Sequence, residues 1–284
     1  MTTDSSSRVG QRQVVSANSK FFVVMRIIVA AFMLIFVSSS AWSQVTRDET
    51  GGTITGVVTL QRTLQRSEFM KTSKDQKVCG SRKMLPRLQL GKDNGVRNVL
   101  VIVEGVSRQV KSVEGEVVTL SQQKCEYTPH ILIVPLGATF EILNNDPVLH
   151  NVHGYSVQEG MKSVFNIAQP IKGLRTKIKQ EVFQKPGLIS LTCDAGHPWM
   201  SGYIYVAPHP YCTLTDVEGN YRLEQVPSGT YKIKIWHEGV KVIKEDVEEG
   251  KVRKYTFEEP YELEKDVTVS DHSTVTVNFD LTVR

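Results

Sequence analysis

Helix signals are scarce in this chain. Across its 284 residues no segment joins a capping residue to a 3.6-residue apolar period and a stop signal, which excludes a helical bundle. Strong charge of one sign is also missing. The formal net charge is +4, the Lys and Arg residues are scattered, and no basic run is interleaved with aromatics, so there is no nucleic-acid footprint. No paired carboxylates, Ser/His/Asp order or Gly-rich phosphate loop points to a hydrolase or a transferase. Cysteine is sparse, at four residues, and none stands directly after the single long apolar run, where a bacterial lipoprotein anchor needs one. No repeat spans the chain.

That apolar run is Phe21 to Val37, interrupted only by Arg26. Arg8, Arg12 and Lys20 precede it, and a Ser-rich exit to Ala41-Trp42-Ser43 follows. A basic flank, an apolar centre and a small-residue end describe a secretory signal peptide over residues 1–43, with Met25 as an alternative start. The mature chain then begins near Gln44 and is periplasmic or secreted, touching a membrane only if this segment stays uncleaved.

Almost everything after residue 50 reads as short strands: Thr53–Leu60, Asn98–Glu104, Ile131–Val134, Thr139–Leu143, Ser163–Ile167, Glu181–Phe183, Leu188–Thr192 and Tyr203–Val206. Turn residues such as Asn144-Asn145-Asp146-Pro147 and Lys185-Pro186-Gly187 separate them. Residues 61–97 and 168–180 read as irregular. The fold class is all-β, with one β-sandwich over 44–207 and a smaller one over 208–284, divided at the Ala207–Pro210 junction. In the second, Tyr231, Ile233 and Ile235 share a face, and Val275, Val277, Phe279, Leu281 and Val283 alternate with polar residues.

The stretch LTCDAGHPWM, Leu191 to Met200, places Cys193, His197 and Met200 on one loop. NNDPVLHNVH, Asn144 to His153, supplies a further imidazole, His150, from a separate turn. Two imidazoles, a thiolate and a weak axial thioether suit an ion that alternates between Cu(I) and Cu(II). Taken alone, Cys193 is a disulfide partner in an exported protein and Met200 is core packing. The combination of four donors favours a metal.

The motifs GATFEILNND…HNV and CDAGHPWM resemble the plastocyanin-type cupredoxins. That resemblance implies a Greek-key sandwich holding one copper through His150, Cys193, His197 and Met200, with Asn151 bracing the ligand loop. Three residues separate Cys193 from His197, one more than in the plastocyanin-type pattern, which implies a distorted, green or red site. A binuclear site of the cytochrome oxidase kind needs a second Cys four residues after the first, and His197 stands there. Residues 208–284, through TDVEGNYRLEQVPSGTYKI, resemble the carboxypeptidase regulatory-like domain, a transthyretin-like sandwich without catalytic machinery. The two together resemble methylamine-utilisation-like exported proteins, recognisable also in KVCG, CEYTPH and FNIAQP.

The remaining cysteines and histidines divide as follows. A Cys79–Cys125 disulfide is the ordinary use of that pair. Cys212 is then free, or competes for another cysteine; pairing with Cys193 would remove the metal site. His153 lies three residues past His150, on the opposite face of a strand. His130 reads as structural or surface, with a second metal contact as the alternative. His237 beside Trp236 reads as a core residue, and His209 and His272 belong to the second sandwich. Trp199 reads either as packing or as an apolar patch for electron entry beside an exposed His197. The expected function is an exported mononuclear copper protein, a one-electron carrier rather than an enzyme, serving a redox partner protein. The alternatives are copper storage or delivery, or an envelope module whose second sandwich docks a protein or glycan. A copper oxidase or reductase ranks below these.

Overall fold

The computed structural model describes residues 50–61, 69–84, 87–106, 116–178 and 180–282. The expected signal peptide lies outside them. Among the described residues no helix is long and apolar enough to cross a membrane.

The protein is all-β, and its described residues form six sheets. One sandwich faces a five-stranded sheet, ordered Lys162–Gln169, His150–Ser156, Gly187–Thr192, Ser201–Ala207 and Ile131–Pro135, against a four-stranded one. The latter is ordered Arg175–Ile178, Thr139–Asn144, Val117–Gln123 and Glu126–Thr128. Alternate residues of both, including Leu120, Phe140, Ile142, Val152, Leu191 and Ile204, meet in one apolar core. The sequence expected a strand at Glu181–Phe183. Gln180–Phe183 is instead a single 3-10 turn, and Phe183 is buried against Phe140, with ring centroids 5.2 Å apart. Burial of that ring outweighs the strand propensity of Val182 and Phe183.

The division expected at 207/208 does not divide the sheets. The second sandwich takes Gly52–Leu60, which pairs antiparallel with Asn220–Val226 and parallel with Thr274–Thr276 and Phe279–Leu281. It also takes Leu100–Glu104, which lies between Cys212–Leu214 and Gly229–His237. The last strand of the chain is thus two short pieces on one neighbour. Its period of two still holds, with Val277, Phe279 and Leu281 buried. The physical reason for the difference is that alternation specifies which face is buried and leaves the partner strand open.

The turn signature within TDVEGN has a clear cause. The Asp216 carboxylate accepts the backbone N–H of Glu218 and Asn220 at 3.0 and 2.8 Å. Gly219 sits at φ +80°, and a Cβ there would meet the carbonyl oxygen of Val58 at 2.4 Å. Thr215 Oγ1 donates to Val96 O at 2.6 Å and accepts from Val99 N at 2.9 Å.

A third apolar cluster, Leu100, Ile131, Tyr205, Ala207 and Trp236, joins the two sandwiches, and the described residues form one compact unit. Strands Ile131–Pro135 and Ser201–Ala207 are therefore covered on both faces, which explains their unbroken apolar reading. Beside this cluster lies a buried charged group. Arg87 pairs with Glu238 at 2.6 Å, Glu238 also bonds His130, and His237 Nδ1 donates to Glu238 O at 2.8 Å. Burial pushes the Glu238 carboxyl up, but Arg87 and His130 outweigh it and hold it below its ordinary value.

Candidate metal centre

His150 opens the strand His150–Ser156, directly after a turn that is locked from within. Buried Asn144 donates from Nδ2 to Val148 O and Gln169 O at 3.0 and 2.8 Å, and its Oδ1 accepts Asp146 N at 2.9 Å. This turn delivers Asp146 beneath His150, where Asp146 Oδ2 lies 2.9 Å from His150 Nε2. The opposite ring nitrogen of His150, Nδ1, is left facing inward.

Cys193 and His197 come from the loop after Gly187–Thr192, which is the neighbour of the His150 strand. Asn151 N–H points at Cys193 Sγ, 3.4 Å away, and Asn151 Oδ1 accepts the backbone N–H of Asp194. Asn151 thus ties the two ligand-bearing segments together by both its backbone and its side chain. Tyr127 adds a further tie, its hydroxyl lying 2.7 and 2.8 Å from Asn151 O and Thr192 O.

The result is a convergence of soft and borderline donors. His150 Nδ1 and His197 Nδ1 lie 3.2 Å apart, and Cys193 Sγ lies 3.6 Å from His197 Nδ1. A single ion with bonds of about 2.0 Å to nitrogen and about 2.3 Å to sulfur spans such separations at near-tetrahedral angles. All three residues are buried, and the ligand atoms lie within 4.8 Å of one another. Burial pushes both imidazoles down, against the pull of Asp146 on His150 and Asp75 on His197, which favours the neutral form that binds metal. Burial also pushes the Cys193 thiol up, so metal binding there must displace a proton. Met200 is 1% exposed, packs in the same core as Cys193, and is fixed by its N–H to His197 O at 2.9 Å.

The surroundings differ from the sequence expectation in one respect. His197 is fully buried and Trp199 is 4% exposed, so neither forms an apolar surface patch for electron entry. Trp199 instead donates from Nε1 to Cys125 O at 3.2 Å. The cover is a strap, the hairpin Phe69–Lys71/Arg82–Met84 with the one-turn helix Gln76–Cys79 at its tip. From it, Asp75 Oδ2 reaches His197 Nε2 at 2.9 Å, and Lys74 Nζ donates to Ala195 O at 2.6 Å. Gly196 is at φ +87°, and a Cβ there would lie 3.1 Å from the Lys74 side chain, so the strap needs a glycine beneath it. A Cys79–Cys125 disulfide anchors the strap, and Cys193 and Cys212 are free.

His153 is not among the inward donors. It lies on the outer face, bonded to Ser163 Oγ at 2.7 Å and Asp194 at 2.5 Å. Tyr155 OH and Asn166 Nδ2 compete for the same His153 Nδ1 at 2.8 and 3.1 Å, so this Ser-His-Asp line is not a polarised relay. His130 and His237 belong to the charged group at the sandwich junction. Cys212 is pushed up to about 12 by burial and is an inert thiol. Two residues at the site escaped sequence reasoning. Asp146 carried a signal, four residues before His150 in a turn. Asp75 carried none, because it meets His197 only through the fold.

No protein-family model matches this chain, and no curated protein does. Among solved structures it is similar to a purple cupredoxin from Nitrosopumilus maritimus, at 26% identity over 31% of this chain and 98% of that one, with a TM-score of 0.26. It is similar to the copper-containing nitrite reductase of Thermus scotoductus SA-01 at 26% identity, over 36% of this chain but 25% of that enzyme, with a TM-score of 0.27. Amicyanin from Paracoccus versutus aligns at 20% identity over 38% of this chain and 97% of that one, with a TM-score of 0.28. The likeness is local, and the chemistry of the site is read from its own donors.

Proposed function

We propose that this is an exported mononuclear copper protein that carries one electron between partners. The observation that carries the reading is the meeting of buried His150 Nδ1, His197 Nδ1 and Cys193 Sγ, with each Nε2 bonded to a carboxylate. His150, Cys193 and His197 would hold the ion, with Met200 as a further, weak donor, and Asn151 ties the loop to the His150 strand. A buried site tied in this way limits reorganisation, and a copper ion bound there would supply the one-electron couple. Among the described atoms, the surface is reached beside Cys193 by the next residue, half-exposed Asp194, which bonds the largely covered His153. That face replaces Trp199 as the route toward a redox partner protein. As an alternative to the carrier, the second sandwich, which resembles the carboxypeptidase regulatory-like domain in its TDVEGNY motif, docks an envelope protein or glycan.

Copper-loaded mature protein should contain one ion per chain and show an intense visible thiolate-to-Cu(II) band. Cys193→Ser should abolish the band with the fold intact, since a hydroxyl is a hard, weak ligand for this ion. Met200→Leu should keep the colour and raise the reduction potential. Stoichiometric metal without a visible band would overturn the copper reading. The complete burial of His197 favours a second reading, copper storage or delivery. A reversible, rapidly exchanging couple at an electrode distinguishes the carrier from the store. Export is tested by N-terminal sequencing, which should start near Gln44.

A further inference from the structure

Each imidazole of the centre is held from behind by a carboxylate, and one disulfide connects the two carboxylates. On one side Cys125 N–H donates to Asp146 Oδ2 at 2.7 Å, and the same oxygen lies 2.9 Å from His150 Nε2. On the other, Cys79 N–H donates to Asp75 O at 2.9 Å, and the Asp75 carboxylate lies 2.9 Å from His197 Nε2. Cys79 and Cys125 are bridged, both are buried, and their sulfurs lie within 4.8 Å of a His197 ring nitrogen. The strap is further pinned by Lys83, which reaches Glu126 at 2.8 Å and Lys124 O.

We propose that Asp75 is a positioning residue for the metal, fixing the ring of His197 with Nδ1 inward, and that the Cys79–Cys125 disulfide retains the metal by holding Asp75 and Asp146 in place together. This rests on the copper reading above. A carboxylate on the far nitrogen sets the tautomer and makes the imidazole a stronger donor; losing such a partner costs a metal site about 10–100-fold in affinity. Asp75 stands on a three-residue hairpin with a four-residue helix, too little structure to keep its place unaided. The disulfide supplies the missing constraint, so retention depends on a bond outside the ligand set. Opening that bond takes two electrons and two protons and gives two thiols: an external dithiol supplies both and becomes a disulfide, whereas a phosphine supplies the electrons and water the protons, the water oxygen ending in the phosphine oxide.

The test is the rate at which Cu(I)-loaded full-length mature protein gives up its ion to bathocuproine disulfonate, read beside the reduction potential. Asp75→Asn should accelerate transfer by about 10–100-fold and raise the potential, because an anion beside the site has gone. Asp75→Glu should recover part of both. Disulfide reduction in the parent protein by a phosphine, which needs no variant, should also accelerate transfer at least tenfold. Loss of thermal stability in Asp75→Asn with an unmoved potential would mark a merely structural residue and overturn the assignment. So would transfer rates within twofold of the parent after both treatments. Failure of the parent to form the visible Cu(II) band is a different result, and it would remove the copper reading itself.

Discussion

The ligand-bearing sandwich is made from one continuous stretch, residues 117–207, whereas its neighbour draws strands from both sides of that stretch. The interiors differ as well. The core of the first carries Cys193 and Met200, with buried His150, His197, Asn144 and Gln169 around it, while that of the second is aliphatic and aromatic throughout. The polar groups named in the first are hydrogen-bonded or converge as candidate metal donors, although Gln169 keeps an unpaired Oε1. The second has fewer buried bonds, such as those of Thr215 and the Tyr221 hydroxyl to Val277 O. The strap over the metal centre lies in sequence between Gly52–Leu60 and Leu100–Glu104, two strands of the second sandwich. The sandwich without donors thus sends a connection to complete the site of the other.

The severest way to break this comparison is to express residues 208–284 alone. They leave behind both Gly52–Leu60 and Leu100–Glu104, so no cooperative urea transition should be seen. A shortened chain that keeps residues 50–106 and joins them by a Gly-rich turn to 210–284 should unfold cooperatively and bind no copper. A cooperative transition in the 208–284 fragment would show that the early strands are dispensable.

Glu238→Gln comes next, acting where the two sandwiches meet. It leaves Arg87, buried beside Phe257 with its guanidinium carbon 3.3 Å from the ring centroid, without its charge partner. Breaking a buried pair from one side costs about 3–5 kcal/mol, measurable as a fall in the urea midpoint at unchanged slope. If the midpoint stays within error, the pair contributes nothing net.

Acid should act on the same junction in two stages. Burial holds His237 below its ordinary value of 6.5, and Glu238 is held below its ordinary value of 4.5. At both groups the unfolded chain binds more protons than the folded one, so stability rises with pH. On acidification it should begin to fall below about pH 6.5 through His237, and the Glu238 contribution should go as pH drops from 4.5 toward its folded value. Urea midpoints from about pH 8 down to about pH 2 check this, and Glu238→Gln should remove the lower stage. The smallest effect is expected at Lys185, whose pair with Glu159 lies in open solvent: Lys185→Ala should leave the midpoint unchanged within error.

What was legible in the sequence follows the range of each interaction. Strand positions were readable because alternation is a local property, as at Tyr231–Ile235 and Val277–Leu281. The convergence of His150, Cys193 and His197 was readable because Cys193 and His197 share one loop and His150 stands in a turn of its own. The strap was not, because 61–97 is polar and its order comes from a bridge to Cys125 and a bond to His197. The sandwich boundary was misplaced for the same reason: the partners of Gly52–Leu60 and Leu100–Glu104 lie far along the chain, and nothing local names them.

The pairing of Gly52–Leu60 with Asn220–Val226 also sets a timetable for synthesis. From Val57 to its partner Asn220 the chain runs about 160 residues, which at ribosomal speed takes roughly 8–30 s. Throughout that interval TITGVVTL, uncharged and rich in β-branched residues, has the short Gly95–Val96 contact at Val58 and Thr59 but no partner strand. The contiguous sandwich can close while this strand waits. A newly made chain therefore passes through a stage in which its metal-binding half is complete and its first strand is open to any passing edge.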